Sequence, residues 1–126
     1  MRAVDTNVLV RLISRDDPIQ TTSAERFVED GAWVSVLVLA EAIWVLGSVY
    51  GRSVEQLCKA IEMLLNNPIL ALQDPEAVAG ALERFRAKPA LGFSDCLILE
   101  LARKAGHLPL GTFDRNLARI EGAQKL

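Results

Sequence analysis

WVSVLVLAEAIWVLGSVY, residues 33–50, contains one charged residue, Glu41, in an otherwise apolar run. Eighteen such residues approach the length that spans a bilayer. Yet Glu41 sits at the centre, where a carboxylate is expensive in lipid, and Ser35, Gly47 and Ser48 interrupt the run. The stretch therefore reads as a strand over Trp33–Val36 followed by a helix through Leu46, with Gly47 and Gly51 punctuating its end. A strand leading directly into a helix decides the fold class. It also raises a question: taking Glu41 out of water costs several kcal/mol unless something pairs with it.

Working outward, the pattern repeats. Residues 2–5 predict a short buried strand, and Val8, Leu9, Leu12 and Ile13 recur at helical spacing after it. Asp17–Pro18 is a helix-start signal for a segment running to Val28. Ser53 and Gln56 have the spacing of a capping box ahead of the apolar stripe Val54, Leu57, Cys58, Ile61, Leu64 and Leu65. Asn66–Asn67–Pro68 breaks that helix before a strand at Ile69–Leu72, and Asp74–Pro75–Glu76 opens the next. A loop follows over Lys88–Gly92, and Ser94 is read as the cap of a helix ending at Gly106. Leu108–Thr112 reads as a strand, Asp114–Ile120 as a short helix and Ala123–Leu126 as a last edge strand. Strands alternating with helices predict one α/β domain over residues 1–126, three-layered, with a mainly parallel central sheet flanked by helices.

Composition sets the frame. The chain has 126 residues, 51% hydrophobic and 24% charged, which matches a globular domain with its own core. The N-terminus MRAVDTN lacks the apolar stretch of a signal peptide, so a cytoplasmic protein is expected. Cys58 and Cys96 form no CxxC pair and are read as reduced core thiols. Net charge is −2, but residues 84–126 carry eight basic and four acidic side chains, a local excess that suits a polyanion.

Four carboxylates stand out. Asp5 follows the first strand, Asp114 follows the strand ending at Thr112, Asp95 lies in the first turn of its helix, and Glu41 lies on the helix after the second strand. In open α/β sheets ligands gather beyond the carboxyl ends of the strands, so all four are expected to approach one sheet edge. Each has a structural alternative: a turn at Asp5, an N-cap at Asp114, a helix-dipole partner at Asp95, an arginine ion pair at Glu41. Most other acids, including Glu25, Glu62 and Glu100, are assigned to polar helix faces. The explanation shared by the four is a hard cation, since converging carboxylates repel unless one lies between them. His107 is read as a surface residue, and there is no P-loop or HExxH.

V-D-T-N at the first strand end, Glu41 on an apolar helix, F-S-D-C-L-I and T-F-D-R-N-L resemble the PIN domain, over Asp5 to about Leu117. The compact length is similar to VapC-type toxins of toxin–antitoxin pairs. The resemblance implies a ribonuclease dependent on Mg²⁺ or Mn²⁺, a homodimer, and silencing by a cognate antitoxin. It makes Asp5, Glu41, Asp95 and Asp114 the catalytic acids. Asp5 and Asp95 become the metal ligands, with Glu41 and Asp114 as further candidates. Thr6, Asn7 and Thr112 become polar neighbours that orient carboxylates or water. Asn116 stands where some members carry another acid, so a single metal is implied. On this reading Glu41 is buried because a metal balances its charge.

RNA contact would fall to Arg84, Arg86, Lys88, Arg103, Arg115 and Arg119, reaching phosphates from the basic last third. Seven aromatic residues leave little for a base-stacking platform. Trp44 is either core or part of a groove for the antitoxin. Two rivals remain open: a catalytically silent RNA-binding or partner-binding module, and a Mg²⁺-dependent phosphatase. The phosphatase reading is weakened because Asp5-Thr6-Asn7 lacks the paired aspartates that chemistry uses. A flap nuclease would need DNA-gripping elements for which 126 residues leave little room.

Overall fold

A computed structural model describes all 126 residues, which form two compact units, Met1–Pro75 and Glu76–Leu126. The first unit alternates strand and helix as its sequence predicts. Its elements are β1 (Arg2–Ala3), α1 (Thr6–Ser14), α2 (Pro18–Val28), β2 (Ala32–Val34), α3 (Val36–Ser48), α4 (Val54–Asn66) and β3 (Leu70–Leu72). The strands form a parallel ladder in the order β1-β2-β3, with Ala3 opposite Trp33 and Val34 opposite Leu72. The expected buried first strand is corrected in part: Arg2 and Ala3 are exposed at the sheet edge, and only Val4 beyond them is buried.

Local chemistry fixes most helix starts. The Asp17 carboxylate accepts from the Gln20 amide ahead of Pro18, whose ring pre-sets the first helical φ. Ser53 and Gln56 make both bonds of the capping box. Ser35 caps α3 by accepting from the Val38 amide, while the Gln73 side chain accepts from Val36 N–H at 2.9 Å. Gly47 lies inside α3 rather than ending it.

The second unit holds α5 (Pro75–Ala87) from its second residue onward, a 3₁₀ turn at Pro89–Leu91, α6 (Phe93–Ala105), β4 (Leu110–Thr112), α7 (Arg115–Ala118) and β5 (Ala123–Lys125). β4 and β5 pair in parallel as a second ladder. The expected Ser94 cap is corrected: the N-cap of α6 is Gly92, at φ 78°, which places Asp95 third in the helix. The reason is Phe93, buried as the first helical residue, which draws the helix start back by two positions. Gly106 ends α6 in the left-handed conformation, as its position predicts. The fold class is α/β, with every strand pairing parallel.

Candidate functional site: carboxylates at the helix starts

α3 answers the question raised by Glu41, though not as expected. Its buried stripe is Leu39, Ala42, Ile43 and Leu46, at the i, i+3, i+4, i+7 spacing of one helix face. Leu37, Glu41, Trp44 and Ser48 occupy the opposite face and are exposed. The expectation of a buried Glu41 is therefore overturned: its carboxylate keeps water and needs no cation to survive. A hydroxyl nonetheless holds it in place, since Thr6 Oγ1 donates to Glu41 Oε2 at 2.7 Å. Trp44, at 65% exposure, is not core either.

Asp5 lies two residues past β1 and caps α1, accepting from the Val8 amide through Oδ1 at 3.1 Å. Asp114 stands in the same relation to β4 and α7, accepting from the Leu117 amide through Oδ1 at 2.8 Å, while its own N–H donates to Thr112 Oγ1. Both structural alternatives are thus real: each aspartate is an N-cap. In each the capping bond occupies Oδ1.

Asp95, half-buried in the first turn of α6, titrates above its ordinary value of 3.8, because burial disfavours its charge and the Asp114 carboxylate repels it. The sign follows directly. A carboxyl held more tightly protonated in the fold destabilises it once ionised. That cost is absent below the ordinary pKa, where both states are neutral, and grows as pH rises through the folded value. In EDTA, Asp95→Asn is expected to raise Tm at pH 7, with the gain vanishing near pH 3, as differential scanning fluorimetry would read.

The uncommitted oxygens of Asp5, Glu41, Asp95 and Asp114 are hard anionic donors of the kind Mg²⁺ and Mn²⁺ prefer, and a cation would relieve the repulsion between Asp95 and Asp114. The donor chemistry fits such an ion. Neither unit by itself gathers three His, Cys, Asp or Glu side chains into a metal cage.

The family model of the PIN domain matches residues 2–123. The chain belongs to the PIN-domain family. PIN domains are generally metal-dependent nucleases, and they bind RNA and often pair with antitoxins. No curated protein and no solved structure gives a significant match.

The remaining candidates of this PIN domain divide. Asn7 is exposed beside Asp5, and Asn116 is exposed on α7. Lys88, Arg115 and Arg119 are exposed, as is Arg86 on α5. Arg84 and Arg103 are otherwise engaged. Arg84 Nε donates to Glu100 Oε1, Arg103 Nε lies 3.7 Å from the same oxygen, and Arg103 Nη2 donates to the Glu121 carbonyl. Glu100 is only 14% exposed, which corrects its assignment to a polar face. The signal lay in the sequence: Glu100 stands three and four residues past buried Leu97 and Cys96, on the buried stripe of α6. Cys96 itself is inert, its thiol pushed up to about 11 by burial and the neighbouring Asp95.

Sequence reasoning missed Phe113. It precedes Asp114 and is 78% exposed, an apolar ring left in water next to a candidate site residue. No helix is long and apolar enough to cross a membrane.

Proposed function

We propose that the chain is a metal-dependent endoribonuclease, the toxin of a type II toxin–antitoxin pair, in which Asp5, Glu41, Asp95 and Asp114 serve one hydrolytic reaction. The observation that carries this reading is the Thr6–Glu41 bond of 2.7 Å at the helix start capped by Asp5, in a chain of a generally nucleolytic family. When bound, Mg²⁺ or Mn²⁺ supplies Lewis acidity toward the phosphate and lowers the pKa of a coordinated water.

The chain's own residues do the rest. The Val8 and Leu117 amides hold Asp5 and Asp114 by one oxygen each and leave the other for the ion. Thr6 fixes Glu41, and Thr112 anchors the turn that carries Asp114. Lys88, Arg115 and Arg119 reach substrate phosphates, joined by Arg86, and Phe113 stacks on a base. Arg84 and Arg103 are better assigned to holding Glu100 than to RNA. The exposed Leu37 and Trp44 face of α3 supports docking of a protein, the cognate antitoxin or a second copy of the chain, in the cytoplasm.

A second reading, a catalytically silent module that binds RNA or a partner, is favoured by the capping roles of Asp5 and Asp114, which hold helix starts without any metal. Cleavage of single-stranded RNA by the purified protein separates the two. With Mn²⁺ or Mg²⁺ the nuclease cuts, and with EDTA cutting stops. RNA that is bound yet uncut under every metal condition identifies the silent module.

A further inference from the structure

Resting on the nuclease reading, we propose that a cavity of about 420 Å³ beside Asp5 is a nucleobase pocket that selects where RNA is cut. It opens between α1 and α2, with Asp5 and Asn7 at one side and Ile19, Gln20, Ser23 and Phe27 across from them. A base has apolar faces and a neutral edge of donors and acceptors, and this lining offers both. Ile19 and Phe27 supply apolar walls. Asn7, Gln20 and Ser23 supply uncharged polar groups.

The cavity does not suit a phosphate. Its one cationic side chain, Arg11, is already spent: Nε donates to Gln20 Oε1 at 2.6 Å, and Nη1 donates to Tyr50 Oη at 2.8 Å and lies 3.4 Å from Asp16. That engagement has a second effect. With one lone pair of Oε1 taken by Arg11, the free protons of the Gln20 amide are those on Nε2, which favours an acceptor on the base, a carbonyl oxygen or a ring nitrogen. Phe27 is held as well. The Arg2 guanidinium lies over its ring, 3.9 Å from the centroid, and Arg2 Nη2 donates to the Phe27 carbonyl at 2.8 Å. Asp5 stands in the wall of the pocket, so a base seated there brings its adjoining phosphate to the Asp5 carboxylate.

Two measurements test the pocket, using wild type, Gln20→Ala and Ser23→Leu; both positions are exposed on α2, and leucine is a good helix former. In the first, a random-sequence RNA pool is cleaved with Mn²⁺ and the cut sites are sequenced. Wild type is expected to favour particular bases at one position beside the cut, and each variant to flatten that preference by about tenfold. A wild type without preference, or variants that keep it, overturns the pocket and leaves the nuclease reading standing. In the second, binding is measured in EDTA to a labelled RNA of about ten nucleotides and to an abasic strand of equal length. With Phe113→Ala as the common background, so that stacking outside the pocket is removed, the protein is expected to bind the RNA about tenfold more tightly than the abasic strand, and added Ser23→Leu to erase the difference. Equal binding of both strands in that background, or a difference that survives Ser23→Leu, overturns the pocket. If no metal supports cutting, the nuclease reading fails, and the second measurement alone decides the pocket.

Discussion

Asp5→Asn is expected to lower metal-dependent RNA cleavage by at least about 10²-fold while leaving the fold intact, a loss on the scale of removing one preorganised electrostatic group from an active site. The choice of asparagine matters because Asp5 has two jobs. It caps α1 through the Val8 amide, and an alanine there would cost about 1 kcal/mol of stability regardless of chemistry. Asparagine caps as well as aspartate, so its side-chain oxygen keeps the Val8 bond while the charge disappears. A Tm within a degree or two of wild type, together with the loss of cutting, assigns the carboxylate to catalysis. Unchanged cutting would leave Asp5 as a cap alone. Asp114→Asn offers the same separation at α7, where the Leu117 bond plays the part of Val8.

The largest expected loss of stability lies away from these carboxylates. Glu100 accepts from Arg84, neighbours Arg103, and is only 14% exposed, whereas the two arginines are 29% and 36% exposed. Surface ion pairs contribute at most about 1 kcal/mol, and breaking a fully buried one costs about 3–5. This cluster lies between, so Glu100→Ala is expected to cost about 2 kcal/mol and to lower Tm by roughly 5–10 °C. Arg103 Nε is already buried without a hydrogen-bond partner, and removing Glu100 would take away its nearest compensating charge. Gly80 belongs to the same packing: a Cβ there would stand 2.9 Å from Glu100 Oε2, an atom that the ion pair keeps from moving aside. Arg119→Ala, on an exposed side chain, should leave Tm unchanged and weaken RNA binding. Equal thermal effects of Glu100→Ala and Arg119→Ala would refute the cluster's structural role.

What was legible in the sequence follows from how local each signal is. Asp17–Pro18, Ser53–Gln56 and Gly106 act within one helical turn, and the helices start and stop where those residues direct. The family was legible from short motifs in order along the chain, and its match covers residues 2–123; the roles of the four acids within those motifs are proposals. Glu41's exposure was not legible, because α3 is apolar on nearly every side and tertiary packing alone selects Leu39, Ala42, Ile43 and Leu46 as the buried face. Ser94 misled because Ser before a helix usually caps, and only the burial of Phe93 shows that the helix has already begun. The cavity between α1 and α2 was invisible for a related reason: Asn7, Gln20 and Phe27 are distant in sequence and meet only once the two helices pack.

The proposed nuclease depends on Asp5 and Asp95 as metal ligands, and the most direct test of that proposal is thermal stability with rising Mn²⁺ for wild type, Asp5→Asn and Asp95→Asn. At a hundredfold excess over its Kd, an ion bound only to the folded state adds about 2.7 kcal/mol. The account predicts a concentration-dependent rise in Tm for wild type that is lost in both variants. A wild type that does not respond to Mn²⁺, or a rise that persists in either variant, would contradict it.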